Sequence, residues 1–196
     1  MSLTNNDFGK LLLRGAIAGP MIYAGRKHAR SQAGTSGWLK SMGFREPDLN
    51  AKIMAGSELG AGAALLTGTM TTAGCATTIG VMTVAIRTLH FPNGYSIEKE
   101  GYEFTLSLAM TAAGLAILGP GRFSVDRLIG LDKKAAGRLG ALAAAAAVPF
   151  AFGHLAAFWR KPKPTTTFVP PLDDDDTLPG PSADGSAAAT LTSSAG

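Results

Sequence analysis

Apolar residues in this chain gather into five long blocks, 8–25, 53–70, 73–89, 102–119 and 139–159. Each approaches the ~20 residues that an α-helix needs to cross the hydrocarbon core of a bilayer. Charge is nearly absent inside them: between residues 53 and 97 only Glu58 and Arg87 are ionised, and 104–121 and 139–159 hold no ionised residue. The pattern predicts an all-α, integral membrane helical bundle. Several blocks are rich in glycine, alanine and threonine, and glycine costs ~1 kcal/mol relative to alanine in a water-exposed helix. In lipid the same composition lets backbones approach closely, so Gly15-x-x-x-Gly19 and Gly56-x-x-x-Gly60 are the expected packing faces. Pro149 removes a backbone donor in the middle of the last block, which is expected to span as a kinked helix.

Composition sharpens this picture. Of the 196 residues 46% are hydrophobic and 16% charged, against roughly 25% charged in an ordinary soluble domain. The net charge is +4, and because 160–196 carries three basic and five acidic residues, the first 159 residues hold +6. That excess lies in loops between apolar blocks without a basic stripe interleaved with aromatics. It signals topology and attraction to anionic lipid, and it excludes a nucleic-acid partner. Cys75 is the single cysteine, so an intrachain disulfide and a CxxC redox pair are excluded. The first block is broken by Arg14 and lacks a small-residue cleavage site behind it, the pattern of a retained helix and not of a signal peptide. Residues 161–196, rich in Pro, Asp and Ser with the run Asp173 to Asp176, have little to bury and are expected to be disordered.

Five spans place the N-terminus and the second and fourth loops on one side with seven Lys or Arg, and leave eleven on the other. The positive-inside bias then puts the C-terminus in the cytoplasm of a multi-pass protein of the inner (plasma) membrane. Counting depth at ~1.5 Å per residue sets Arg14 and Glu58 more than ~10 Å apart, against an ion pair between them. The same counting brings Glu58, Arg87, His90, Glu103 and His154 to the cytoplasmic side, beside Tyr23, Arg26, Lys27 and His28 at the end of the first span.

An ionisable residue at membrane depth is a functional candidate. Glu58 is either a proton carrier or anchor for a bound substrate, or half of a structural pair with Arg87 or Arg26. His90 is either a ligand donor or an interfacial histidine, and His154 a ligand or a packing donor. Metal binding lacks support because no HxxxH or ExxH spacing occurs. Nucleophile elbow, P-loop and dinucleotide fingerprints are also missing, as is any ligand set for a tightly bound haem, flavin or iron–sulfur cluster. A quinone site needs an apolar slot open to lipid, donors for the head-group carbonyls and a carboxylate exchanging protons with water. Glu58, Arg87, His90, Tyr102 and His154 are the candidates, with His90 and Arg87 as donors, Glu58 as proton acceptor and Tyr102 as rim.

Five motifs carry a family resemblance: Leu11-Leu12-Leu13-Arg14, Gly56-Ser57-Glu58-Leu59-Gly60, His90-Phe91-Pro92-Asn93-Gly94-Tyr95, Gly101-Tyr102-Glu103 and the run from Gly119, Pro120, Gly121 and Arg122 to Asp126. In order and spacing they resemble the DoxX family of small bacterial membrane proteins. The resemblance implies a four-helix membrane core over 1–126; the connecting loop and fifth membrane helix over 127–160, the long basic first loop and the tail over 161–196 depart from the family's usual pattern. It also implies association with membrane-linked redox, since some relatives are subunits of thiosulfate:quinone oxidoreductase or of complexes answering thiol stress. Gly119-Pro120-Gly121 is expected to end a helix, with Arg122 and Asp126 either anchoring the chain among headgroups or satisfying Arg14. The expected role is a membrane subunit of a redox complex that binds quinone, with a protein partner and possible self-association. The alternatives are a noncatalytic scaffold docking a soluble partner through the basic first loop, 26–52, and transport of a small solute or proton.

Overall fold

Asn5–Arg30 forms α1, Gln32–Ser41 α2, Pro47–Thr67 α3 and Thr71–Ala85 α4, in a computed structural model that describes residues 5–132 and 136–162. The helix of α4 runs on through a π-turn at Ile86–His90 and a 3-10 turn at Phe91–Asn93; α5 (Glu103–Leu118), the short α6 (Val125–Leu128) and α7 (Arg138–Phe158) follow. Among the described residues the only β-type pairing is an isolated bridge, Phe44 to Trp159. The chain divides after Pro162. The acidic tail, together with Lys133 and Lys134 of the topology count, lies outside the described residues.

The helix boundaries follow local chemistry. Pro47 opens α3, where its missing N–H costs nothing, and Gly68 closes it with φ +70° in the left-handed region. Gly119, at φ +77°, ends α5 as its motif implied. Pro149 is accommodated inside a continuous α7. Two helical stretches, Thr71–Asn93 and Arg138–Phe158, are long and apolar enough to cross a membrane, while Glu103–Leu118 is apolar but shorter. Block 8–25 belongs to a longer helix with charged ends, and block 53–70 to one that starts six residues earlier at Pro47; neither meets the same hydropathy test. The stretch 26–52, expected as a loop, contains the whole of α2.

Helix α1 packs on α3, α3 on α4, α4 on α5, and α5 back on α1; α7 lies against α4 and α5, and α2 covers one end of α3. The buried centre is formed by Ile17, Met21, Leu65, Cys75, Ile79, Leu108 and Leu115, with small alanines between them. A second cluster of Leu39, Phe44, Ala51 and Leu155 sits under α2.

The glycines that set helix approach are not the ones the spacing suggested. A Cβ on Gly15, Gly19, Gly56 or Gly60 would meet nothing within 4 Å, because these positions face outward. The close approaches are Gly62 against Ile22 and the Ala18 carbonyl, Gly25 against Leu59, and Gly140 against the Ala116 carbonyl. Three-residue spacing identifies a stripe, but the buried face of α3 runs through Ala51, Ala55, Glu58, Gly62 and Leu65, one turn face away. Gly140→Ala is therefore expected to lower the stability of the detergent-solubilised protein by about 1–3 kcal/mol, since its methyl meets backbone. Gly15→Ala and Gly56→Ala should leave the melting temperature level or raise it. Thermal unfolding of the three variants in one detergent checks the assignment, and the reverse ranking would refute it.

Candidate functional site

Two polar assemblies lie at opposite ends of the bundle. At the first, Arg14 is 2% exposed, and its guanidinium donates from Nε to the Leu65 carbonyl at 2.7 Å and from Nη2 to the Leu66 carbonyl at 2.7 Å. Nη1 donates to the Phe123 carbonyl and, at 3.4 Å, to that of Pro120. The carbonyls belong to the last turn of α3, left without intrahelical donors, and to Pro120 and Phe123 in the segment after α5. Gly68 is required here because a Cβ would come within 2.7 Å of Arg14 Cζ. Asp126, 1% exposed, accepts from the backbone N–H groups of Met70 at 2.7 Å and Thr71 at 2.8 Å, so it caps α4.

Carbonyls, then, satisfy Arg14, while the Asp126 carboxylate caps a helix and bears on Arg14 through space. Lysine presents a compact ammonium that cannot reproduce a planar fork. Arg14→Lys is expected to destabilise the protein by about 2 kcal/mol or more through carbonyls left unmatched, and Asp126→Asn by about 1 kcal/mol through a weakened cap. Chemical denaturation in detergent measures both; wild-type stability for Arg14→Lys would show that the fork is dispensable.

The second assembly lies toward α2. Glu58, 3% exposed, accepts from or shares a proton with His28, whose Nδ1 is 2.7 Å from Oε2. The His28 ring stacks on Trp38 with centroids 6.3 Å apart. Glu58 thus has a partner, but it is His28 of α1 and not Arg87 or Arg26. The depth argument against an Arg14–Glu58 pair agrees with this placement.

Beside this pair lies a cavity of about 510 Å³ walled by α2, α3, α4 and α7. Its apolar surface comes from Leu39, Met42, Phe44, Ile53, Met54, Val81, Val84, Leu89 and Phe150, and its floor from small residues including Ala76, Gly80, Ala143 and Ala147. Trp38, Asn50, Thr88 and His154 also line it, all from the segments nearest α2, whereas Ser57 and Thr77 lie farther along. From Thr88 to Thr77 the α4 wall alone runs roughly 17 Å. The cavity is an elongated slot with polar groups concentrated at one end.

Of the five sequence-predicted residues, His154 lines the slot, its ring 5.0 Å from that of Phe158. Glu58 stands one residue beyond the wall residue Ser57 and reaches the slot through His28 and Trp38. Arg87 instead lies over the Trp159 ring at 5.1 Å. His90 Nδ1 is 2.7 Å from the Glu100 carbonyl. Tyr102 stacks on Phe91 and meets Tyr95 edge-on. His90 and Tyr102 therefore brace the connection after α4, Arg87 packs on the end of α7, and none of the three is among the slot residues. Sequence reasoning missed Trp38, Asn50, Ser57 and Thr88; the spacing 50, 53, 54, 57 on α3 was the available signal.

Where α7 ends, Trp159 Nε1 donates to the Met42 carbonyl at 2.9 Å, and Arg45 and Arg160 exchange backbone bonds with Phe158 and Gly43. This clasp closes the α2 end of the slot. Among the described residues no group of three or more His, Cys, Asp or Glu is placed to hold a metal ion.

The DoxX family model matches residues 9–91, a stretch that includes Arg14, His28, Asn50 and Glu58. Comparison with curated proteins and with solved structures returns no match.

Proposed function

Taking the chain as a member of the DoxX family of membrane proteins, which the match over residues 9–91 supports, we propose that it is the quinone-binding membrane subunit of a redox complex. It is a multi-pass protein of the inner membrane, with α1, α3, α4 and α5 as its core and α7 as a fifth span. The observation that carries this reading is the slot of about 510 Å³ between α3 and α7, with its apolar length and polar end. An isoprenoid or other apolar tail fits the alanine-rich length, and a ring fits beside Trp38, Asn50 and His154.

In that site His154 offers a ring nitrogen to a head-group oxygen. Glu58 and His28, joined at 2.7 Å, hold a proton behind Trp38 and exchange it with the α2 side of the membrane. A quinone supplies two-electron chemistry when bound, and this chain contributes orientation, exclusion of water and proton supply. His90 and Tyr102 act by holding the α4–α5 connection, and Arg87 by packing on Trp159 at the end of α7.

A second reading, docking of a soluble partner, is favoured by the exposure of Arg26, Lys27, Arg30, Lys40, Arg45 and Lys52 around α2. The two readings differ in what purifies with the protein. After mild detergent extraction, organic extraction and absorption spectroscopy are expected to recover quinone at near-stoichiometric amount. Ala146→Phe, whose ring enters the slot from an exposed α7 position, should reduce that at least about fivefold without lowering the melting temperature. Glu58→Gln should retain bound quinone while slowing quinone-linked electron flux in reconstituted membranes. Recovery of a stoichiometric soluble protein with no quinone would replace the first reading by the second.

A further inference from the structure

Three arginines from distant parts of the chain are brought to the clasp that joins the α2–α3 connection to the end of α7. Arg45 donates its backbone N–H to the Phe158 carbonyl at 2.7 Å, and Arg160 donates its own to the Gly43 carbonyl at 3.0 Å, on either side of the Phe44–Trp159 bridge. Arg87, from the π-turn after α4, sets its guanidinium 5.1 Å from the centre of the Trp159 ring. All three residues are exposed. Arg87 is held by its stack on the indole, and Arg160 by Nη1, which donates to the Ala156 and Trp159 carbonyls at 2.8 Å each. The ion pairs found among the described residues, His28–Glu58 and Arg127–Asp132, involve none of the three. Glu46 and Asp48 are the carboxylates nearest to Arg45 along the chain, and Asp48 already accepts from the Ser36 hydroxyl. The clasp thus presents guanidinium donors that have no counterion among the described residues.

We propose that this cluster binds the phosphate of an anionic phospholipid, with Arg45, Arg87 and Arg160 as donors and Trp159 as the interfacial anchor. The inference rests on α7 spanning the bilayer, as read above, and is independent of what the slot holds. Trp159 follows Phe158, the last residue of that helix, and the helix end is the level at which tryptophan meets lipid head groups. Arg87 lies within the helical stretch Thr71–Asn93, and its long side chain carries the charge to the Trp159 ring at that level. The oxygens of a phosphodiester match the planar guanidinium fork. Because Arg87 and Arg160 are already held, little side-chain freedom is lost on binding. A zwitterionic head group brings a cation that three arginines repel, whereas a net anionic one does not. Free phosphate offers the same oxygens but lacks the acyl chains that the exposed Val148, Phe150 and Phe152 of α7 would meet in the membrane.

The test follows thermal unfolding of the full chain in a neutral detergent against added dioctanoyl phosphatidylglycerol, dioctanoyl phosphatidylcholine and inorganic phosphate. Phosphatidylglycerol is expected to raise the melting temperature with an apparent affinity at least about tenfold above that of phosphatidylcholine, and inorganic phosphate to have no comparable effect. The triple change Arg45→Gln, Arg87→Gln and Arg160→Gln should reduce the preference to within about twofold. The triple change Arg26→Gln, Lys27→Gln and Arg30→Gln removes the same charge from the end of α1 and should keep it. Should the first triple variant fail to fold, Arg45→Gln alone, whose side chain makes no hydrogen bond among the described residues, is expected to lower the preference about threefold. Equal loss in both triple variants would overturn the site in favour of diffuse attraction by net charge, and an equal response to the two lipids would overturn it outright. Stabilisation by inorganic phosphate to the same extent would assign the cluster to a free anion, and a stoichiometric soluble protein released only by the clasp substitutions would assign it to a protein partner; either overturns the lipid site. None of these readouts involves quinone, so their failure leaves the slot reading as it stands. A chain that stays monodisperse in water without detergent would instead remove the membrane reading, and this inference with it.

Discussion

The fork of Arg14 is the interaction on which the arrangement of helices depends. A guanidinium buried among apolar helices is tolerable only when each donor meets an acceptor, and the acceptors nearest at hand are carbonyls that helix ends leave unmatched. Arg14 joins three chain segments in this way: its own helix, the last turn of α3 and the segment 120–123 after α5. Asp126 works from the same junction on the start of α4. The cation and carboxylate together hold the α3–α4 turn and fix the exit of α5. With α1, α3, α4 and α5 held at this end, α7 completes the α4–α5 side and leaves a slot between itself and α3.

The opposite end uses different means. There the closure is made of backbone pairing across Gly43 to Arg45 and Phe158 to Arg160, the Trp159 indole on the Met42 carbonyl, and Arg87 over the Trp159 ring. These contacts cross from the α2–α3 connection to the end of α7, more than a hundred residues apart. The Glu58–His28 pair stands inside that closure. Charges are thus confined to the two ends, and the middle of the bundle is held by dispersion between alanines, leucines and the few glycines that meet a neighbouring backbone.

Much of this was legible in the sequence, for identifiable reasons. Apolar blocks with few charges located α1, α3, α4, α5 and α7, because helix length and hydrophobicity are properties of a single segment. The Gly119-to-Asp126 motif announced a helix stop at the level of Arg14, since depth follows from residue count, but not that carbonyls would take the guanidinium while Asp126 caps α4. Helix α2 was hidden: Gln32–Ser41 is short and polar, and it exists because Leu39 and its neighbours pack under α7 and α3. His28 as the partner of Glu58 was equally hidden. Residue count placed His28, Arg26 and Arg87 at one level, but only the rotation of α1 about its axis decides which of them faces α3.

That same rotational ambiguity explains why glycine spacing misled and small-residue stripes would not have. A Gly-x-x-x-Gly pair marks a stripe but is silent on whether a neighbouring helix lies over it, and α1 and α3 meet through Gly25 and Gly62 with the paired glycines turned outward. Stripes on several helices constrain one another. Positions 143, 146, 147, 150, 151 and 154 on α7 share one face, as do 77, 80, 81, 84 and 88 on α4 and 50, 53, 54 and 57 on α3. On α7 and α4 these faces are chiefly small, too small to fill the space between α3 and α7. Each ends near α2 in a polar side chain: His154, Thr88 and Asn50. Polar side chains that converge from three helices, with Trp38 of α2, give the slot a direction, and a direction is what a ligand with an apolar tail and a polar head requires.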